Sequence, residues 1–299
     1  YKVRRASSGS ARCCAARVPC LLRIQQALPP GLCWNLLERR AQVFDPATGA
    51  EVGRVRISTP EEVREAVERS RQVFHMWKTT SFTERRRLVM RAREVILAEM
   101  DEIAGLISAE SGKPVAEAMA LEIAPVLDLM QWIARSAEKM LRPRRIGIGL
   151  FSLLGRSSKV VYHPLGVIGI IPAWKYPFSI PLGETVMSLM AGNTVVLKPS
   201  ELTPLTGLKI GEIFEKAGFP KDAVQVVSGA GETGAALVAA TPDKIAFTGS
   251  VATGKKIAEA EAHARTLTGF DRTAAEAAIE AQRQALSQMK KPRFALNPQ

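Results

Sequence analysis

The chain has 299 residues, of which 46% are hydrophobic, and it carries a formal net charge of +12 at pH 7. This length and composition are enough for a substantial buried core. Because no apolar run approaches the roughly 18 residues that a membrane-crossing helix needs, the sequence excludes a membrane span and predicts a soluble globular protein.

The positive charge is concentrated at the N-terminus. Residues 1–40 contain eight basic residues and one acidic residue, Glu38. Since no nucleic-acid-binding motif accompanies this charge, we predict a solvated basic surface and no nucleic-acid partner. The Arg- and Ser-rich composition is typical of an organelle transit peptide. A disordered basic tail, an expression remnant and sequence translated upstream of the true start are the alternatives.

This N-terminal segment, which we predict to be disordered and exclude from the fold, also holds every cysteine. The cysteines are Cys13, Cys14, Cys20 and Cys33. Residues 34–299 therefore provide no disulfide, no cysteine metal ligand and no thiol nucleophile. The three histidines are far apart in sequence, so we predict no metal site. A body without disulfides suits a reducing compartment. We predict a cytoplasmic location, or an organelle matrix if residues 1–40 are a transit peptide.

The pattern after residue 40 begins with strands and changes to helices. Residues 43–55 indicate two short strands around a turn, in which Gly49 can adopt a positive φ. Thr59, Pro60 and Glu62 have the spacing of a capping box with proline at the first helical position. We therefore predict that a helix begins directly after Thr59.

Two long helices and a hairpin are predicted next. Apolar residues at helical spacing predict one helix over residues 83–111, closed by Gly112, and another over residues 116–140. Each has a single apolar stripe, as expected of a helix that covers a sheet. Residues 142–165 indicate two strands around residues 155–158, so we predict a projecting hairpin arm there.

A regular alternation of short apolar strands and helices begins at Gly166. The predicted strands are residues 166–171, 194–197, 224–227 and 244–247, and the predicted helices are residues 182–191, 203–217, 232–240 and 251–260. This alternation predicts a Rossmann-like α/β fold, an open parallel sheet with helices on both faces. Ligands of such sheets bind beyond the carboxyl ends of the strands, so the loops there are the candidate site.

The loop after the fourth predicted strand reads FTGSVATG and leads directly into a helix. Gly249 permits a sharp turn, Ser250 and the free amides of the first helical turn can donate hydrogen bonds, and Gly254 permits close packing. This arrangement favours an anion such as a cofactor pyrophosphate at the helix N-terminus. The alternative is a simple turn, because the spacing is not the GxGxxG fingerprint.

Two further loops carry candidate residues. Lys198 and Glu201 follow the second predicted strand, with Pro199 between them. A lysine donor and a carboxylate acceptor at this spacing suit the two hydroxyls of a ribose, and a solvated charge pair at a helix end is the alternative. The glycine cluster SGAGETG, which includes Gly229, follows the third strand. It either borders a nucleotide or permits tight packing.

These loops together resemble the NAD(P)-dependent aldehyde dehydrogenase superfamily. The motifs that carry the resemblance are FDPATGAEVGRV, AESGKPVAEA, GVIGIIPAWKYPFSIPLGE, GNTVVLKPSELTPLTGL, VVSGAGETG and DKIAFTGSVATGKKI. They appear in the family's order over about residues 41–260. In that family a cysteine thiolate attacks an aldehyde, hydride passes to the nicotinamide, and water hydrolyses the thioester. The resemblance implies an oxidoreductase that converts an aldehyde to a carboxylic acid.

The resemblance also implies roles for individual residues. It implies that Lys198 and Glu201 hold the adenosine ribose, that Gly249, Ser250 and Gly254 surround the pyrophosphate, and that Ile171, Pro172 and Trp174 lie along the cofactor cleft. The Glu201 carboxylate would repel a 2′-phosphate, so NAD is the expected cofactor, although the family uses both NAD and NADP.

The first departure from the family pattern is at Lys175. The family's loop reads Trp-Asn-Tyr-Pro, and the asparagine amide helps to hold the oxyanion. Here the loop reads WKYP. A flexible, strongly hydrated ammonium is a poor substitute for a fixed amide. We favour a Lys175 that points to solvent over one that stabilises an oxyanion, and a Schiff-base role has still less support.

The second departure lies beyond the FTGS loop, where the family has a Glu-Leu-Gly-Gly motif and then its cysteine. Residues 261–299 instead indicate an unrelated amphipathic helical tail, with the thiol-bearing catalytic domain missing. The chain is then either an oxidoreductase that needs a catalytic half from elsewhere or a non-catalytic NAD(P)-binding remnant. Apolar surface left uncovered on the helices and on residues 142–165 predicts self-association as a homo-oligomer or aggregate.

Overall fold

The structure is a computed structural model that describes residues 33–35, 39–149 and 155–267. Most of the basic N-terminal segment and the part of the predicted tail after residue 267 lie outside these ranges. Within the described ranges, no helix combines the length and apolar character needed to cross a lipid bilayer.

The helices and strands are numbered in chain order. The strands are β1 (Cys33–Asn35), β2 (Arg40–Phe44), β3 (Glu51–Arg56), β4 (Arg144–Ile146), β5 (Ser158–Val160), β6 (Val167–Ile171), β7 (Thr194–Leu197), β8 (Val224–Val226) and β9 (Lys244–Phe247). The helices are α1 (Pro60–Trp77), α2 (Phe82–Ala98), α3 (Met100–Ser111), α4 (Val115–Ala118), α5 (Ala124–Leu141), α6 (Ser179–Met190), α7 (Pro204–Lys216), α8 (Gly231–Ala239) and α9 (Val251–Leu267).

The N-terminal strands form a small antiparallel sheet in the order β1-β2-β3. The predicted turn between β2 and β3 is present, with the Gly49 N–H donating to the Asp45 carbonyl at 2.8 Å and Gly49 at φ +73°. The sheet also includes residues 33–35, which we had excluded from the fold. Their backbone pairs with β2, where Trp34 lies opposite Ala41. The basic composition of the segment gives no sign of this strand.

The capping box at the start of α1 is confirmed. The Glu62 N–H donates to the Thr59 hydroxyl at 3.2 Å, and the Thr59 N–H donates to a Glu62 carboxylate oxygen at 2.9 Å. The next helix differs from the prediction, because residues 83–111 are divided at Glu99 into α2 and α3. The apolar spacing continues through the break, so the sequence pattern does not reveal it.

A π-helical turn, Met119–Ile123, joins α4 to α5 within the helix predicted over residues 116–140. Glu122 lies in this turn and its side chain is fully buried, where it forms an ion pair with Lys113. Its carboxylate also accepts hydrogen bonds from the N–H groups of Phe178 at 2.8 Å and Ser179 at 3.4 Å. The π turn thus places a buried carboxylate at the N-terminus of α6.

The main sheet is parallel and has the strand order β8-β7-β6-β9. One face packs on α1 and α8, and the other packs on helices that include α5, α6 and α7. Every residue of β6 and β7 is buried, as expected of strands covered on both faces. The predicted Rossmann-like fold class is confirmed.

The predicted hairpin arm is present as β4 paired with β5, with Arg144 opposite Val160. Large apolar side chains are exposed on the arm and on nearby segments: Trp132, Met140, Ile146, Val161, Tyr162 and Leu165. The surface thus has the apolar character that favours association, and self-association itself stays a prediction.

The N-terminus of α7 is capped by a carboxylate from α3. Glu110 is only 4% exposed and accepts hydrogen bonds from the Leu205 N–H at 2.7 Å, the Thr206 N–H at 2.7 Å and the Thr206 hydroxyl at 2.5 Å. Burial raises the pKa of Glu110 to about 7, because desolvation of the charge outweighs these three hydrogen bonds.

This raised pKa predicts a stability that falls as the pH rises. Below pH 4.5, the ordinary pKa of a glutamate, the carboxyl is protonated in both the folded and the unfolded chain, and its contribution to stability is fully present. As the pH increases towards about 7 the unfolded chain releases the proton first, so the free energy of unfolding decreases. In the unaltered protein we expect this decrease in the free energy of unfolding to be about 3 kcal/mol, since a tenfold change in proton affinity is worth about 1.4 kcal/mol. In Glu110→Gln we expect the decrease to be absent. Urea unfolding of both proteins between these pH values measures the difference. If their free energies of unfolding changed with pH in parallel, the prediction would be contradicted.

Candidate functional site

A cleft of about 1300 Å³ lies beyond the carboxyl ends of β6, β7 and β9. In the sheet β6 lies between β7 and β9. The helix after β6 packs on one face of the sheet and the helix before β9 packs on the other. The cleft therefore opens where the direction of the chain connections reverses, which is where ligands of open α/β sheets bind.

Most of the residues predicted for the site are brought together here. Those that line the cleft are Ile171, Pro172, Trp174, Lys175, Lys198, Glu201, Gly249 and Ser250. Glu201 and Ser250, which follow different strands, thus face the same space. The other two predicted residues, Gly229 and Gly254, lie outside this lining.

Packing accounts for the glycine at Gly229, and Gly254 lies close to a neighbouring ring. A Cβ atom at Gly229 would lie 1.9 Å from the Thr233 hydroxyl oxygen, and one at Gly254 would lie 3.3 Å from the Phe247 ring. In the SGAGETG stretch it is Gly231 and Gly234 that reach the cleft. The cluster therefore permits close packing at Gly229 and faces the cleft at Gly231 and Gly234, and its contact with a nucleotide stays a prediction.

Lys198 and Glu201 form a pair at the end of β7. The Lys198 ammonium donates to a Glu201 carboxylate oxygen at 3.2 Å. The Lys198 side chain is 4% exposed, whereas that of Glu201 is 39% exposed. Desolvation lowers the pKa of Lys198, and the neighbouring Glu201 carboxylate partly opposes this change. Such a buried ammonium does not fit the alternative of two solvated charges. The pair presents a donor and an acceptor to the cleft.

The loop between β9 and α9 forms the opposite wall. The Ser250 hydroxyl accepts a hydrogen bond from the Thr253 N–H at 3.1 Å and so caps the helix. A Cβ atom at Gly249 would lie 2.5 Å from the Phe247 ring, so a larger residue here would displace that ring. The chain therefore turns tightly at the mouth of the cleft and directs a helix N-terminus at it, which favours a negatively charged group.

Two helix faces form a slot that the sequence analysis did not identify. From α8 the lining residues are Gly231, Gly234, Ala235, Val238 and Ala239, and from α9 they are Thr253, Lys256, Ile257 and Ala260. Both sets follow the spacing of one helical face. This spacing is visible in the sequence, but it identifies a slot only when the two helices are known to be neighbours. The slot is mainly small and apolar, and it suits a flat group such as a nucleobase.

Lys175 also lines the cleft, and its side chain is exposed. Its ammonium lies 5.4 Å from the centre of the Tyr176 ring. Trp174 beside it is 53% exposed. Neither side chain is held by surrounding atoms in the way that a fixed oxyanion donor requires.

Glu184, on α6, is a half-buried carboxylate that the sequence analysis did not single out. One oxygen accepts a hydrogen bond of 3.4 Å from the hydroxyl of Thr248, which lines the cleft. The other oxygen is buried and has no hydrogen-bond partner in the described part of the chain. Desolvation raises the pKa of Glu184. It lies just behind the wall of the cleft.

The strand order and the cleft at its reversal point place this protein among the Rossmann-like α/β domains. The sequence profile of the aldehyde dehydrogenase family matches residues 35–285. The chain belongs to the aldehyde dehydrogenase family. The match continues past residue 260 into the segment that we predicted to be an unrelated tail, whose origin stays a prediction.

Three proteins that are similar to this chain are longer than it. The 4,4'-diapolycopene aldehyde oxidase of a Methylomonas species is 33% identical over 212 residues, which are 71% of this chain and 40% of that protein. The NAD+ complex of a Bacillus cereus aldehyde dehydrogenase has a TM-score of 0.69 and 31% identity, covering 75% of this chain and 45% of its own. PnpE in complex with nicotinamide adenine dinucleotide has a TM-score of 0.69 and 32% identity, covering 75% of this chain and 46% of its own. The chain thus spans less than half the length of each of these proteins.

Proposed function

We propose that residues 41–260 form an NAD(P)-binding domain that serves the oxidation of an aldehyde to a carboxylic acid. Membership of the aldehyde dehydrogenase family supports this proposal. Two similar structures, at 31% and 32% identity, contain NAD. The observation that carries it is the single cleft with the Lys198–Glu201 pair on one wall and the N-terminus of α9 on the other.

Each wall of the cleft has a distinct part in binding. Glu201 accepts a hydrogen bond from a hydroxyl of the adenosine ribose, and Lys198 donates one to the neighbouring hydroxyl oxygen. Ser250 and the first-turn amides of α9 receive the diphosphate. The slot between α8 and α9 takes the adenine, and Ile171 and Pro172 lie along the rest of the cofactor. When bound, the oxidised nicotinamide ring accepts a hydride from the substrate.

The nucleophile is not provided by residues 34–299, since they contain no cysteine. Oxidation through a thiolate therefore needs a cysteine from outside this range. The exposure of Lys175 supports a solvated ammonium better than an oxyanion donor. We accordingly assign binding of the cofactor to this chain and a solvent-facing position to Lys175, which stands at the family's oxyanion position.

The absence of cysteine from residues 34–299 favours a second candidate function, non-catalytic binding of NAD(P). The two functions share the same cleft and differ in turnover. With an oxidoreductase, reduction of the cofactor depends on an aldehyde once a cysteine-bearing catalytic half is added. With a non-catalytic binding protein, no aldehyde gives reduction under any complementation.

Calorimetry of the full chain with NAD+ tests the proposal. We expect saturable heat of binding, because the donor, the acceptor and the helix N-terminus are already in place. Absorbance of the reduced cofactor, followed with propanal or benzaldehyde, then separates the two candidate functions. A chain that gives no heat with either NAD+ or NADP+ overturns both of them.

A further inference from the structure

A lysine on α9 lies in the cofactor cleft without a role in the binding scheme above. Lys256 lines the cleft on the same helical face as Thr253 and Ala260. Lys256 and the preceding residue, Lys255, are both exposed, and Lys255 lies outside the lining. Two adjacent lysines on one helix therefore differ in whether they face the cleft, and only Lys256 is placed to contact a ligand.

The charge on the cleft walls exceeds what NAD requires at the ribose. The charged lining residues are Lys175, Lys198, Glu201 and Lys256, three of them positive. Lys198 is already paired with Glu201 at 3.2 Å. Lys256 brings a further ammonium. The diphosphate of NAD+ is assigned to the N-terminus of α9, and a ribose with two neutral hydroxyls does not use a second cation beside Lys198. A phosphate on that ribose would use it, since a phosphate monoester carries about 1.5–2 negative charges at pH 7.

The position of Lys256 along α9 indicates which part of the cofactor it meets. It lies five residues after Val251, the first residue of the helix, or about 7.5 Å along the axis at 1.5 Å per residue. The diphosphate is assigned to the helix N-terminus and the adenine to the slot that Lys256 borders. Lys256 thus stands beside the adenosine half, and its flexible stem lets the ammonium approach the ribose from the wall opposite Glu201.

We propose that Lys256 determines cofactor specificity, by pairing with the 2′-phosphate of NADP+ so that the cleft accepts NADP+ as well as NAD+. The inference rests on the proposed binding function. Glu201 alone would exclude NADP+ by repulsion between like charges. Lys198 offsets the Glu201 carboxylate, and Lys256 supplies the remaining cation that the phosphate needs.

Calorimetry of the full chain and of Lys256→Gln with NAD+ and NADP+, at low and at physiological salt, tests this inference. We expect the Kd of NADP+ to rise about tenfold in the variant, as for loss of one charge-assisted hydrogen bond. At physiological salt the Kd of NAD+ should change by about twofold or less, because NAD+ has no phosphate on that ribose and salt screens its diphosphate, which lies about 7.5 Å along the helix. Lys255→Gln removes the same charge outside the cleft and should change neither value.

The outcomes separate this inference from the function on which it rests. Binding of NAD+ without measurable binding of NADP+ overturns the role of Lys256 and leaves the proposed function intact. An equal loss of affinity for NAD+ and NADP+ in Lys256→Gln also overturns the proposed role of Lys256, because Lys256 would then contact a part that the two cofactors share. If Lys255→Gln and Lys256→Gln changed the Kd of NADP+ equally, the effect would come from overall charge and the role of Lys256 would be overturned. Failure of the unaltered chain to bind either cofactor rejects the proposed function itself.

Discussion

Glu122→Ala is expected to lower the free energy of unfolding by about 3–5 kcal/mol, the range observed when one partner of a buried ion pair is removed. The Glu122 side chain is fully buried and that of Lys113 is 10% exposed. Removing the carboxylate leaves the Lys113 ammonium buried without its partner. It also leaves the N–H groups of Phe178 and Ser179 without the acceptor that they have at 2.8 and 3.4 Å. Chemical denaturation followed by circular dichroism measures the loss.

Two comparisons make the Glu122 prediction specific. Glu65→Ala removes one member of an exposed pair, Glu65 and Arg69 at 3.7 Å, and should cost less than about 1 kcal/mol. The double variant Lys113→Met and Glu122→Leu removes both charges and should recover part of the lost stability. A Glu122→Ala protein as stable as Glu65→Ala would contradict the prediction.

Lys198→Met is expected to weaken NAD+ binding by about tenfold to a hundredfold, as for loss of a hydrogen bond from a charged group worth about 1.5–3 kcal/mol. Methionine has a similar length and no charge. Burial already disfavours the ammonium of Lys198, as its lowered pKa indicates, so we expect the fold to retain its stability. Titration calorimetry gives the Kd, and thermal unfolding checks the fold.

Lys244→Met is the matched control for Lys198→Met. Lys244 is exposed and begins β9, so it lies at the end of the sheet opposite the cleft. Its substitution removes the same charge and should leave the Kd of NAD+ within about twofold. Unchanged NAD+ binding by a folded Lys198→Met protein would show that the buried ammonium does not contact the cofactor.

The sheet was predictable from sequence because each of its strands is short, apolar and followed by a helix. β7 and β9 have the predicted bounds, residues 194–197 and 244–247. The helix layer was less predictable. The break at Glu99 and the π turn at Met119–Ile123 keep the apolar residues at near-helical spacing. They are fixed by contacts with other helices, which a local pattern does not contain.

The candidate site was predictable where its chemistry lies in a loop. Lys198, Glu201 and Ser250 follow strand ends, and parallel strands bring their carboxyl ends together. Lys256 and Glu184 were missed because each lies inside a helix, where a charged residue normally indicates a solvated face. Their relation to the cleft depends on how α9 and α6 pack, and only the assembled structure supplies that information.

The strand order also determines when the cleft is completed as the polypeptide emerges from the ribosome. β7 and β8 follow β6 directly and can pair as they are made, but the other edge of β6 is filled by β9, which comes latest among the described strands. Until residues 244–247 appear, β6 presents a row of backbone donors and acceptors without partners on that side. The nascent domain therefore passes through a stage in which this edge of β6 is open, and the cleft closes only when β9 and α9 arrive.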